Sequence, residues 1–331
     1  MISLFRAVAG AFALLVVAPV FAAVVAPVGG AAAQGWPART VKFVVPLGPS
    51  SGADITARLL SERLQGKWGH PVIVENRAGG DGLVGITAFL SANDDHTLFF
   101  GPTASYTAHP WTRTSIPYNA KDIIPIVRTT VTVVAISVPT SLGINSLQEL
   151  VAKARKEPGK MNWSAVTGLN DFQFSSFVKL SGIDMAKVPY RDLNQAVNDL
   201  GENRIQVYSS AFATVRPAVL GGKVKVIALN NSTRFEQILP GVPTAREAGF
   251  PALEFDGLVG IHGMPNVSAE ARKRIVTDVI EVLKDPKIAE RLTSGGTVVV
   301  PGDTAEFTKA IDSQRRTAEA TGKALGLKPV Q

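Results

Sequence analysis

The sequence predicts an α/β fold of two lobes joined by two crossing strands. Short β-branched runs alternate with helical periods before residue 135, and the same alternation restarts near 140. The tail after 240 carries too few strands for a third sheet, so it is expected to return to the first unit.

Residues 41–45 are apolar and β-branched and read as the first strand. A helix follows over 52–67, with Ile55, Leu59, Leu60 and Leu64 on one face. Residues 72–74 form a second strand, followed by a Gly-rich turn, a helix through 88–90 and a third strand at 97–100. Such a βαβαβ order implies parallel strands with helices on both faces. Residues 126–138 read as one long strand closed by Pro139, and Ser146-x-x-Glu149 has capping-box spacing for the next helix. Short strands are expected at 162–165, 188–189 and 205–208, with helices near 170–181 and 193–201 between them, and 224–229 is a further strand. Helices near 244–248, 268–283 and 303–325 complete the chain, the last opening on Asp303-x-x-Glu306. The strands 126–138 and 224–229 then cross between the lobes and leave a cleft suited to a ligand. Residues 34–137 and 231–331 make the first lobe and 138–230 the second.

Composition narrows the functional classes. The 331 residues are 46% hydrophobic, contain no Cys and carry a formal charge of +7 without any block of five basic residues. Thiolate metal sites, cysteine nucleophiles and disulfide scaffolds are therefore excluded, and nucleic-acid binding has no local support. Arg6, the apolar run over 7–28 and the small residues Ala31-Ala32-Ala33 read as a secretory signal peptide over 1–33, cleaved near Ala33/Gln34. An uncleaved anchor is the alternative, but Pro19 and Pro27 fit cleavage better.

Gly48-Pro49-Ser50-Ser51-Gly52 matches G-x-S-x-G between a strand and a helix, the setting of a hydrolase nucleophile. Pro49 before the serine and the indistinct settings of His109 and His262 argue against that use. A capping box, Ser51-x-x-Asp54, explains the segment better, and the free N–H groups of the helix start would face an anion in the cleft. Gly80-x-Gly82-x-x-Gly85 resembles a dinucleotide fingerprint, yet no acidic residue ends the next strand; a turn with close helix–sheet packing is expected instead. Thr167-Gly168-Leu169-Asn170-Asp171 forms a second strand–turn–helix loop, with Asn170 and Gln173 as a cap-like pair. The two loops are expected to clamp a carboxylate between backbone donors. Thr103, after the third strand, completes the candidate set. The four histidines show no metal-ligand spacing, so neither metal nor cofactor is expected.

In order along the chain, several segments resemble the tripartite tricarboxylate transporter (Bug-type) solute-binding receptors. They are Pro46-Leu47-Gly48-Pro49-Ser50-Ser51-Gly52-Ala53-Asp54-Ile55-Thr56-Ala57-Arg58, Val74-Glu75-Asn76-Arg77-Ala78-Gly79-Gly80, Ile116-Pro117-Tyr118-Asn119 with Asp122, Val188-Pro189-Tyr190-Arg191 and Leu239-Pro240-Gly241-Val242-Pro243-Thr244-Ala245-Arg246-Glu247-Ala248-Gly249. The resemblance implies a two-lobed periplasmic binding protein fold of the Venus-flytrap type (type II), closing on a small organic acid held by the loops 48–54 and 167–171. It places Tyr190 and Arg191 near the cleft and Ser209-Ser210 at the end of a strand pointing towards it. Two departures bear on which acid is bound: the family's Gly-Gly in the first loop is Ser50-Ser51, and its second-lobe Gly-Ser…His-Leu is Gly168…Asp171-Phe172.

The expected function is thus that of a non-enzymatic, monomeric periplasmic receptor for a mono- or dicarboxylate. Its partners would be the membrane components of a tripartite tricarboxylate-type transporter. A ligand-sensing partner of a signalling protein would share the fold and site, and a secreted serine hydrolase using Ser50 is the remaining alternative.

Overall fold

A computed structural model describes residues 35–166, 168–190 and 192–330. The signal segment 1–33, Thr167 and Arg191 lie outside the described residues. The strands are β1 (Val41–Val45), β2 (Val72–Asn76), β3 (Thr97–Pro102), β4 (Ile124–Thr132), β5 (Val134–Pro139), β6 (Met161–Ala165), β7 (Met185–Lys187), β8 (Val207–Ala211), β9 (Val224–Leu229), β10 (Gly257–Gly263) and β11 (Thr297–Gly302). They form a six-stranded sheet in the order β11-β4-β10-β3-β1-β2 and a five-stranded sheet in the order β7-β6-β8-β5-β9. Only β2-β1-β3 and β7-β6-β8 are parallel; β10, β4 and β11 pair antiparallel, as β5 does with β8 and β9. The tail after 240 does return to the first sheet, through β10 and β11.

Helices cover the sheets: α1 (Gly52–Trp68), α2 (Leu83–Ala92), α3 (Ala104–Thr107), α4 (His109–Thr112), α5 (Leu147–Lys156), α6 (Leu169–Leu180), α7 (Leu193–Gly201), α8 (Phe212–Leu220), α9 (Ala269–Leu283), α10 (Pro286–Ser294) and α11 (Thr304–Leu325). One core packs Leu60 and Leu64 of α1 and Ile275 and Val279 of α9 against Phe43 and Phe100 of the first sheet. Another packs Leu147 and Leu150 of α5 and Phe174 and Phe177 of α6 against Ile136, Trp163 and Val207 of the second. A smaller apolar cluster joins Ala108, Leu169, Phe172, Phe255 and Ala318, so α11 and the start of α6 meet in it.

The predicted strand over 126–138 is two strands in different sheets, with the changeover at the fully buried Val133. Val134–Ser137 therefore pair in the second sheet. β-Branched residues run from Thr129 to Val134 across the junction and most are buried, which is why a single strand was the natural reading. Asn231, just beyond β9, clips the junction: its amide donates to Thr132 O at 3.0 Å and its carbonyl accepts from Val134 N at 2.8 Å. The two crossings between sheets are thus tied side by side.

Other differences have local causes. Residues 188–189 are not a strand: β7 ends at Lys187, Val188 N donates a last bond to Trp163 O, and Pro189 has no N–H to continue. Residues 244–248 form turns rather than a helix, and Gly249 follows at a φ of +83°. The three expected capping boxes divide. Asp303 and Glu306 complete theirs. In the other two the first serine caps as expected, but the acid bonds one residue further back, Asp54 to Ser50 N and Glu149 to Asn145 N.

Candidate functional site

The first loop leaves β1 and turns into α1. Ser51 is the N-cap, its Oγ accepting from Asp54 N at 3.3 Å. Asp54 is 3% exposed, and its carboxylate accepts from Ser50 N (2.9 Å), Asn76 Nδ2 (2.9 Å) and Arg58 Nε (3.1 Å). Burial alone would push this carboxyl up; the donors from Arg58, Asn76 and Ser50 outweigh it and hold it below the usual range. Asn76 also donates to Leu47 O at 3.0 Å, so the carboxylate and its partners brace the whole turn. Asp54 is therefore a structural keystone of the loop. We expect Asp54→Ala to cost about 2 kcal/mol in denaturant unfolding, because it strips several charge-assisted bonds at once. An unchanged midpoint would count against that role.

Gly48, Pro49 and Ser50 remain at the surface, with Ser50 at a φ of +67°. The two histidines that a Ser50 nucleophile would need are engaged elsewhere: His109 with Tyr118 and Asp81, and His262 with Tyr106 in the core. Gly52 is the first residue of α1, and a Cβ there would stand 2.7 Å from Thr297 Oγ1. The pressure towards glycine is steric contact with a β11 side chain rather than φ.

The second loop leaves β6 and starts α6. Gly168 is its N-cap, at φ 95° and ψ −139°, with no side-chain cap. The expected Asn170/Gln173 cap does not form, because Gly168 starts the helix before Asn170. The Asn170 carbonyl is buried without a partner among the described residues, and Gln173 is fully buried with Nε2 reaching Glu254 O at 3.4 Å. Leu169 is spent in the apolar cluster with Phe172 and Phe255. Asp171 Oδ2 pairs with Lys187 Nζ at 2.7 Å, while Oδ1 is buried and unpartnered among the described residues.

Gly168 and Asp171 line a cleft of about 510 Å³ together with Asp81, Arg113, Thr114 and Ser115. Gly168 and Asp171 come from the helix start on the second sheet; Asp81 follows β2 of the first. The opposing surfaces are close, since a Cβ on Gly168 would sit 2.9 Å from Asp81 Oδ1. Asp81 adopts φ 58°, ψ 39°, a left-handed conformation that aspartate tolerates better than most residues. Burial raises its pKa, Arg113 opposes the rise and Asp171 adds to it by like charge.

His109 fixes this turn from behind. Its Nε2 lies 3.1 Å from Asp81 O and its Nδ1 2.7 Å from Tyr118 Oη. A carbonyl only accepts, so Nε2 carries the proton and Nδ1 accepts from the phenol. Burial pushes the imidazole down to about 4 and keeps it neutral. Arg113 donates to Gly80 O, with its Nε buried and unpartnered among the described residues.

The remaining candidates are turned elsewhere. Thr103 is buried, donating to Gln314 Oε1 of α11 at 2.6 Å. Tyr190 donates to Asp199 Oδ2 at 2.7 Å, and burial together with that carboxylate raises its hydroxyl to about 12. Ser209 and Ser210 are buried within β8, the first 3.5 Å from Asn230 Oδ1 and the second donating to Ala211 O at 3.2 Å. Sequence reasoning missed Asp81, His109 and Arg113. The signal for Asp81 was an acid inside a glycine-rich turn, where Gly82 and Gly85 do pack closely on Ser105 and Pro46. No group of three or more His, Cys, Asp or Glu among the described residues could hold a metal.

The profile of the "Tripartite tricarboxylate transporter family receptor" family matches residues 56–327. The chain belongs to this family. A UPF0065 protein of Bordetella bronchiseptica is 28% identical to the receptor over 323 residues, covering 95% of this chain and 93% of the relative. Among solved structures the receptor resembles R. palustris Rpa4515 with adipate (TM-score 0.75, 24% identity, 89% of this chain and 100% of that one). It also resembles MatC (Rpa3494) from Rhodopseudomonas palustris with bound malate (TM-score 0.72, 22% identity, 86% and 99%). The receptor therefore has the two-lobed fold of periplasmic solute-binding proteins.

Proposed function

We propose that the receptor is exported to the periplasm by a cleaved leader over 1–33, captures a small mono- or dicarboxylate between its lobes and delivers it to a tripartite tricarboxylate-type transporter. The lobes in this reading are 34–137 with 231–331, and 138–230. The observation that carries it is the cleft itself, built from two strand-to-helix turns of different sheets and holding Arg113 as a cationic anchor for a carboxylate. Its relatives with adipate and malate support the ligand class. The first loop, 48–54, contributes backbone donors and a helix start in this reading, with Tyr190, Arg191, Ser209 and Ser210 as further candidates around the closed cleft.

Thermal shift across a panel of mono- and dicarboxylates tests the proposal. A ligand at 100 times its Kd adds about 2.7 kcal/mol, which should raise the midpoint by about 5 °C or more for a protein of this size. A flat response to every acid in the panel would overturn it. N-terminal sequencing of the exported protein should begin near Gln34; a retained Met1 would favour an anchor.

A further inference from the structure

We infer that the acid bound by this receptor carries an ammonium group, seated between the carboxylates of Asp81 and Asp171 while its carboxylate faces Arg113. The inference rests on the organic-acid reading and refines it to aminocarboxylates.

The cleft is lined by two carboxylates and one guanidinium, with the hydroxyls of Thr114 and Ser115 beside them. Asp81 comes from the turn after β2, and Asp171 from the first turn of α6 on the other sheet, so the acids face each other across the opening rather than sharing one surface. Their like charges already act on one another. Lys187 pairs with one oxygen of Asp171 at 2.7 Å, and the other is buried with no donor among the described residues. Asp81 Oδ1 lies against Gly168, whose lack of a side chain leaves room for that carboxylate.

A dicarboxylate placed here would bring a second negative group towards two existing ones, and like charges at this range repel. An ammonium reverses the sign of that interaction and supplies three donors to acceptors that lack them. Arg113 is well matched to the other end, because a guanidinium presents several donors to a planar carboxylate. The chain's own Asp81 and Asp171 would thus select among acids by what stands opposite the carboxylate.

Calorimetric titration with length-matched pairs tests this: β-alanine against succinate, 4-aminobutyrate against glutarate, and 6-aminohexanoate against pimelate. Within each pair only one end differs, ammonium or carboxylate. In the best-fitting pair the aminocarboxylate should bind at least tenfold tighter than the dicarboxylate. Asp81→Asn and Asp171→Asn, isosteric and expected to keep the thermal midpoint, should each remove most of that preference, weakening the aminocarboxylate and, with the repulsion relieved, tightening the dicarboxylate. If the dicarboxylate is the tighter ligand in every pair, the inference falls and the organic-acid reading stands. Failure of every pair to bind would remove both. A preference that survives both asparagine variants would also overturn the inference, since the carboxylates would not be its source.

Discussion

Lowering the pH from 7 to 5 should destabilise the receptor by about 3 kcal/mol, and two buried histidines account for most of the loss. His262 is fully buried among Phe99, Tyr106 and Phe307, and burial pushes its pKa down to about 3; His109 is held at about 4 by the same cause. In the unfolded chain both imidazoles titrate near 6.5. Above that value neither state binds the proton, and stability is complete. As pH falls from 6.5 towards 4 the unfolded chain takes up protons that the native state refuses, so stability drops by about 1.4 kcal/mol per unit for each group. Asp81 works in the opposite direction, because its raised pKa lets the native state take up a proton before the unfolded chain does. Denaturant unfolding at both pH values reads the net effect. His262→Gln should roughly halve the pH slope, whatever it does to absolute stability. Equal stability at pH 7 and pH 5 would mean that these rings are hydrated and free to charge.

Replacement of Gly168 by alanine should be the most damaging single change at the cleft. At φ 95° and ψ −139° a side chain costs about 1–3 kcal/mol from backbone strain alone. The new Cβ would also stand 2.9 Å from Asp81 Oδ1, closer than such atoms approach, so the Asp81 carboxylate must move from its place in the cleft. We expect about 3 kcal/mol in total and weaker binding of any ligand held by both turns. Gly222→Ala provides the contrast: it has φ +71° but nothing within 4 Å of its Cβ, so strain acts by itself and about 1 kcal/mol is expected. Equal losses in the two variants would show that the contact with Asp81 contributes nothing.

Most strands and long helices could be read from the sequence because their signals are local. The apolar, β-branched runs in 41–45 and 224–229 and the apolar face of α1 are each short-range signals that reappear as β1, β9 and the buried side of α1. β10 was not legible, since Gly257, Gly260 and Gly263 mask its pattern; the glycines are there because a Cβ on Gly260 would lie 2.5 Å from Phe307 and from Val127 O. The changeover at Val133 was hidden for a different reason, since burial on both sides erases any mark of which sheet a residue joins. At the site, the turn with Gly168 and Asp171 could be found as a loop between strand and helix. Asp81 and Arg113 could not, because their meaning depends on which surface folding brings opposite them. Thr103, Ser209 and Ser210 are polar residues near strand ends whose partners are equally invisible in the sequence: folding sets Thr103 against Gln314, Ser209 against Asn230 and Ser210 against Ala211 O.

The insertion of β10 between β3 and β4 has a consequence for how the chain acquires its shape. β4 has β10 and β11 as its two neighbours, and both are made after residue 256. The bond from Thr103 to Leu258 already spans 155 residues. The second sheet, by contrast, draws all its strands from 134–229 and can assemble as soon as they are present. A growing or threading chain therefore passes through a stage in which one lobe is formed and β4 stands with both edges bare. Bare edges of this kind seek any available strand, and pairings so distant in sequence form slowly. The slow lobe is the one whose β2 carries Asp81 to the cleft, so a competent binding site is among the last features the polypeptide acquires.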